Sequence, residues 1–254
     1  MPKIIENRLI AEFKDRDSFS REDLFEFFRF FEPDLKGGTF SWRIYDLQNK
    51  NIIKSIRRGQ YTISGQARYK PEISPELLRL AKAISKRFED VKYCLWDSDW
   101  VNEFSRHQSG KKIMIIEIEK DYVEALFYVL KEDFKFDIYL NPDEKAIDYY
   151  ISESHKAVVI KKLITRSPIS KRNEKKNIIY TPLLEKILVD LFTENKLFYF
   201  YQGQELIHVY ENALRSYTLN FTKLFSYAKR RGREQEIKRF MKDNMTHLIK
   251  GVIE

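Results

Sequence analysis

Gly37-Gly38-Thr39-Phe40-Ser41-Trp42-Arg43-Ile44-Tyr45-Asp46-Leu47-Gln48-Asn49-Lys50 is followed by Ile52-Ile53-Lys54-Ser55-Ile56, the triplet Arg57-Arg58-Gly59 and Gln60-Tyr61-Thr62-Ile63. Gly37-Gly38 has turn composition, Thr39 is a candidate cap, and the spacing predicts a helix from Phe40 to about Lys50. Phe40, Ile44 and Leu47 fall in one narrow stripe and are expected to face inward. Trp42, Tyr45 and Asn49 then point the opposite way, with Ser41 and Gln48 between the faces. Arg43 and Lys50 flank the apolar stripe. The two short β-prone runs, joined by Arg57-Arg58-Gly59, predict a hairpin.

Upstream, Ile4, Ile5, Leu9, Ile10 and Phe13 recur at helical spacing and predict a first helix over about Ile4 to Asp15. Ser20 and Asp23 form a variant of the capping box, with Phe19 placed as a hydrophobic staple. They open a Phe-rich second helix that Glu32-Pro33 should end. Three helices and a basic-tipped hairpin, in that order, predict a winged helix-turn-helix DNA-binding domain over residues 1–70. Charge agrees. Residues 1–35 carry a net −3, residues 36–70 a net +7, within a chain of formal charge +8. Such a step prepares one face for an anionic partner. Arg57 and Arg58 at the hairpin tip are candidate phosphate contacts. Lys36, Thr39 and Ser41, near the positive end of the third helix, are candidates for phosphate or base. Trp42, Arg43, Tyr45 and Gln48 complete the candidate set; Trp42 and Tyr45 could equally pack against the protein itself.

Residues 71–90 read as a linker and a connecting helix: Gly65 to Pro75 has linker composition, and Leu77, Leu80, Ala81 and Ile84 give the helix its apolar side. Residues 91–254 read as a mixed α/β domain ending in a helical bundle, so the chain as a whole is α/β, of α+β type. Strands are expected at 91–96, 112–119, 136–140 and 157–162, alternating with helices, in a largely parallel sheet. A basic loop is expected over 165–178. Helices should then follow at about 182–194, 203–217, 220–230 and 233–249, with Thr181 and Pro182 starting the first. Lys229, Arg230, Arg231 and Arg233 form either a solvated helix end or a second electropositive patch.

Aromatics at 15% argue against a disordered chain, and no apolar run is long enough to span a bilayer. The lone Cys94 excludes an internal disulfide framework and fits a reducing, cytoplasmic setting. The four histidines have no Cys or His at ligand spacing, and no glycine-rich phosphate loop occurs, so neither metal nor cofactor is expected. Two acidic groupings bear on catalysis. Asp97 and Asp99 form a D-x-D, and Glu117 and Glu119 end a strand before Lys120. Together they define an alternative, a metal-dependent nuclease or nucleotidyltransferase to which the winged helix delivers substrate. Asp97 and Asp99 also sit where a helix cap is wanted, and alternating Glu-Ile-Glu suits a half-buried strand. The reading that the chain is not an enzyme is preferred.

Five segments carry a family resemblance: Phe40 to Leu47, Arg57 to Tyr61, Trp100-Val101-Asn102-Glu103-Phe104, Thr181 to Asp190, and Tyr227-Ala228-Lys229-Arg230-Arg231-Gly232. Through them nearly the whole chain resembles the AbiEi-type antitoxins of bacterial type IV toxin–antitoxin and abortive-infection systems, and more closely a related bacterial branch. The resemblance implies a transcriptional regulator whose winged helix represses its own operon on double-stranded operator DNA. It also implies a second domain that counters a nucleotidyltransferase-like toxin. In the helix from Pro182 to Asp190, Leu188 and Val189 are then core. Glu185, Lys186 and Asp190 are either partner-facing or internal ion pairs.

Overall fold

The computed structural model describes residues 2–16, 18–50, 52–63, 69–174 and 177–249. Helix α1 (Lys3–Phe13) buries Leu9 and Phe13. Strand β1 is the two-residue Phe19–Ser20, and α2 (Arg21–Phe31) starts directly after it. The capping box forms as expected. The Asp23 backbone N–H donates to Ser20 Oγ at 3.0 Å, and the Ser20 N–H donates to Asp23 Oδ2 at 2.6 Å. Helix α2 stops at Glu32, ahead of Pro33.

Helix α3 spans Gly37–Asn49 and so begins three residues before the expected start at Phe40. Lys36, not Thr39, is its N-cap residue, and the Phe40 N–H donates to the Lys36 carbonyl at 2.9 Å. Glycine is tolerable there because amides of a first turn lack intrahelical acceptors in any case. Phe40, Ile44 and Leu47 are buried, as the stripe required. Strands β2 (Ile53–Arg57) and β3 (Gln60–Ile63) form the hairpin, with Gly59 at a positive φ of 75° in the turn. Strand β1 adds antiparallel to β3, pairing Phe19 with Tyr61, which gives a three-stranded sheet in the order β1-β3-β2. Phe19, Leu24, Phe28, Phe40, Leu47 and Tyr61 share one small core with α1.

Of the linker read over Gly65 to Pro75, residues 65–68 lie outside the described part of the chain. Helix α4 (Pro75–Arg87) is capped by Ser74, whose Oγ accepts the Leu77 N–H. It contributes Leu77, Leu80, Ala81 and Ile84 to the larger core, so it packs as part of that body. There β4 (Tyr93–Asp97), β5 (Lys112–Ile118), β6 (Asp137–Leu140) and β7 (Lys156–Lys162) form a sheet in the order β4-β5-β7-β6. Pairing is parallel for β5–β7 and β6–β7 but antiparallel for β4–β5. The link from β4 to β5 holds only a 3-10 turn, Ser98–Glu103, with no α-helix to cross a face, and the chain doubles back. Helix α5 (Val123–Asp133) and the short α6 (Glu144–Ala146), which runs into a π turn over Ile147–Ile151, lie between β5 and β7.

The expected basic loop is instead a two-stranded ribbon, β8 (Ile169–Glu174) against β9 (Asn177–Pro182). Its alternation is carried by polar residues: Lys171 and Asn173 are exposed and Arg172 half-buried between them, so no apolar period marks the strand. Thr181 and Pro182 end β9 rather than start a helix, and α7 runs over Leu184–Thr193 with Leu183 before it. Helices α8 (Gln204–Ser216), α9 (Phe221–Arg230) and α10 (Glu234–Met245) complete the molecule. The protein is thus mixed α/β with several sheets. Among the described residues, no helix is long and apolar enough to cross a membrane.

Candidate nucleic-acid interface

One edge of the molecule gathers α3, the start of α2 and the β2–β3 turn. Trp42 and Tyr45 are 59% and 60% exposed on the outward face of α3, opposite its buried stripe. Thr39 and Lys36 are exposed at the N-terminal end of the same helix. Ser41 donates its hydroxyl to the Gly37 carbonyl at 3.0 Å and accepts from Arg21 Nη2 at 2.9 Å.

Arg21 is a residue that sequence reasoning missed. Its backbone N–H donates to the Gly59 carbonyl at 2.8 Å, its guanidinium lies 4.7 Å from the Phe40 ring centre, and its side chain reaches Ser41. It therefore ties the hairpin turn to α3 and places a cation beside both. Its position directly after the Ser20 cap was a signal of helix geometry only, so nothing local marked it. At the turn, Arg58 is exposed and Arg57 half-buried. Among the described residues neither has an ion-pair partner, nor has Lys36.

Two other members of the predicted set face differently. Arg43 pairs with Glu32, lies 5.3 Å from the Phe28 ring centre, and leaves only 18% of its side chain exposed. This corrects its reading as an interface residue: a residue flanking the apolar stripe meets the end of α2. Gln48 is half-buried where α3 meets the larger body.

The second basic patch is only partly a patch. Arg231 pairs with Glu194, approaches Asp190 at 3.9 Å, and has 14% side-chain exposure; Arg233 pairs with Glu236 at 2.7 Å. Lys229 and Arg230 alone of the four are exposed without such a partner among the described residues. Gly232, at a φ of 71°, turns the chain after α9 and directs Arg231 back toward the body.

The partner-facing reading of Glu185, Lys186 and Asp190 is overturned, because all three are buried. Lys186 has no exposed surface. Its ammonium pairs with Glu117 at 2.5 Å and with Asp190, and lies 3.1 Å from the Tyr227 hydroxyl, which donates to Asp190 Oδ1 at 2.8 Å. Burial would lower the Lys186 pKa, but Asp190 and Glu117 outweigh it and hold the ammonium well above its ordinary value. Glu185 accepts the Asn220 backbone N–H at 2.7 Å. Helix α7 is enclosed along almost its whole length, so its charges are matched from within.

The four carboxylates of the catalytic alternative do not converge. Asp97 accepts the Asp99 N–H at 3.0 Å as a cap and pairs with Lys112 at 2.7 Å. Burial pushes the Asp97 carboxyl up, against the opposing pull of Lys112. Glu117 serves Lys186 instead, and Glu119 is half-exposed beyond the end of β5. Among the described residues, no three His, Cys, Asp or Glu side chains are grouped to hold a metal ion.

A family model matches residues 39–247, and the chain belongs to that family, DUF6577, a family of unknown function. No curated protein matches the chain.

Proposed function

We propose that this DUF6577 protein binds double-stranded DNA as a winged helix-turn-helix, with α3 in the major groove and the β2–β3 turn against the backbone. The observation that carries the reading is the α3 edge itself. Among the described residues, Lys36, Arg57 and Arg58 have no ion-pair partners and lie on the same edge as two exposed aromatics, while Arg21 and Ser41 fix the turn to the helix. Arginines at a turn and a helix N-terminus suit phosphate contacts, and each neutralised phosphate contributes about 0.9 to the salt slope of binding. On this reading residues 1–70 form the DNA-binding part. The protein acts in the cytoplasm as a transcriptional autoregulator.

The antitoxin role, countering a nucleotidyltransferase-like toxin, rests on the AbiEi-type resemblance of the five segments named above. The buried Glu185, Lys186 and Asp190 supply no surface for it, so any partner contact must use other residues.

The test is fluorescence anisotropy of the full chain against its own upstream DNA and a scrambled duplex, over a salt series. Preference for the upstream sequence that survives physiological salt is the expected result. Equal, salt-fragile binding to both would remove the regulator reading, and no binding would remove the DNA reading altogether. Co-expression with a neighbouring toxin gene, scored by growth, tests the antitoxin role separately.

A further inference from the structure

A cleft of about 480 Å³ lies where the C-terminal end of α3 and strand β2 face the β8–β9 ribbon and the start of α9. Its volume falls in the range of roughly 300–1,000 Å³ typical of small-molecule sites. Lys54, Lys70, Arg172 and Lys223 line it, and Glu185 is the only acid among the described lining residues. That acid is already committed to the Asn220 N–H, and burial pushes its carboxyl up against the opposing pull of that bond and of Lys223. The cleft thus presents four basic residues against one acid.

Its cations divide by availability. Arg172 is held in the wall, donating from Nη1 to the Pro71 carbonyl and from Nη2 to Glu174, both at 2.7 Å. The side-chain ammonium groups of Lys70 and Lys223 have no hydrogen-bond or ion-pair partner among the described residues, although the Lys223 backbone N–H donates to Asn220 Oδ1 at 3.0 Å. The side-chain amides of Gln48 and Asn49 are likewise uncommitted. The rest of the wall mixes polar residues, Ser55, Ser170, Thr181 and Asn220 among them, with an apolar stretch. Tyr69 and Tyr217 pack edge to face at 5.2 Å, with their hydroxyls engaged by the Trp100 carbonyl and Glu103, and Pro71, Pro182 and Leu184 continue the surface. Free ammonium groups, free amides and a ring-lined wall in one cavity match a ligand with an anionic end and a planar polar body.

We propose that this cleft binds a small organic phosphate of mononucleotide size, with Lys70 and Lys223 receiving the phosphate and Gln48 and Asn49 the polar edge of the ring system. The assignment does not depend on DNA binding. Because the cleft wall includes α3 and β2 on one side and β8, β9 and α9 on the other, an occupant joins the two bodies.

Isothermal titration of the full chain with AMP, GMP, CMP and UMP tests it, with adenosine and inorganic phosphate as comparators. At least one of the monophosphates binds, adenosine does not, and inorganic phosphate binds more weakly. The double variant Lys70→Ala/Lys223→Ala, whose side chains are exposed and unpaired among the described residues, keeps the parent's Tm and weakens nucleotide binding by about tenfold or more. Absence of heat with all four at millimolar concentration overturns the proposal. So does unchanged affinity in the variant, or inorganic phosphate binding as tightly as the nucleotides. A variant that loses duplex affinity, in a chain that binds no nucleotide, would assign the lysines to a DNA footprint instead. Failure of duplex binding with nucleotide binding intact would sink the DNA reading and leave this one standing.

Discussion

The α3 edge and the α7 core treat charge in opposite ways. At the edge, Lys36 and Arg58 are exposed and Arg57 half-buried with no acid matched to them among the described residues, while the buried charges around α7 have partners. A lysine in water costs nothing to keep charged, so it can be held for a partner that arrives later. A lysine in the core must be neutralised where it stands, because removing it from water costs several kcal/mol even after relaxation. Basic residues therefore divide by burial into those that can act outward and those that hold the fold. Lys186 and Arg57 look alike in sequence, and burial alone separates them.

The sharpest way to break the comparison is Lys186→Ala, which strands Glu117 and Asp190 in the core. A loss of about 3–5 kcal/mol in urea unfolding is expected; a loss under 1 kcal/mol would show that the network is solvated and the contrast unreal. Next, Arg57→Ala/Arg58→Ala should leave Tm in place yet lower the salt slope of duplex binding by up to about 2. An unchanged slope takes the turn out of the footprint.

Ser20→Ala probes the smaller body and should cost about 1 kcal/mol near pH 7. The two hydrogen bonds with Ser20, the backbone one first, hold the Asp23 carboxyl below its ordinary value. An acid with a depressed folded pKa stabilises above its unfolded value of about 3.9 and loses that contribution as pH falls through the folded value. The gap between parent and variant should accordingly shrink below about pH 4; a gap independent of pH would detach Asp23 from the cap. The smallest effect separates neighbours: Arg230→Ala should change stability by no more than about 0.5 kcal/mol. Arg231→Ala, which leaves Glu194 with Lys161 alone and removes the guanidinium near Asp190, should cost clearly more in the same unfolding experiment.

What could be read without coordinates follows from which forces act locally. The Ser20–Asp23 box and the Phe40, Ile44, Leu47 stripe are decided within a few residues, and both appear as expected. The outward placement of Trp42 and Tyr45 follows from the same geometry. Strand β8 was not legible, because its alternation runs through Lys171, Arg172 and Asn173, and apolar periodicity cannot register a polar strand. Nor were the roles of Glu185, Lys186 and Asp190 decidable. Lys186 and Asp190 pair along one helix, but their further partners Glu117 and Tyr227, like the Asn220 that meets Glu185, lie outside it, and a charged side chain carries no local mark of such distant groups. Arg43 and Arg231 belong with them, each a cation spent on an acid from another element.

Strand β2 turns Ile53 into the small core and Ile56 into the large one. A strand clamped on both faces is a poor swivel. A head so mounted cannot turn freely about a tether, and a duplex gripped along α3 would meet the rest of the molecule on one side only. Two such molecules on neighbouring sites would then be phased by the pitch of the double helix. Half a turn of inserted DNA would carry one body to the opposite side of the duplex, whereas a full turn would restore their alignment.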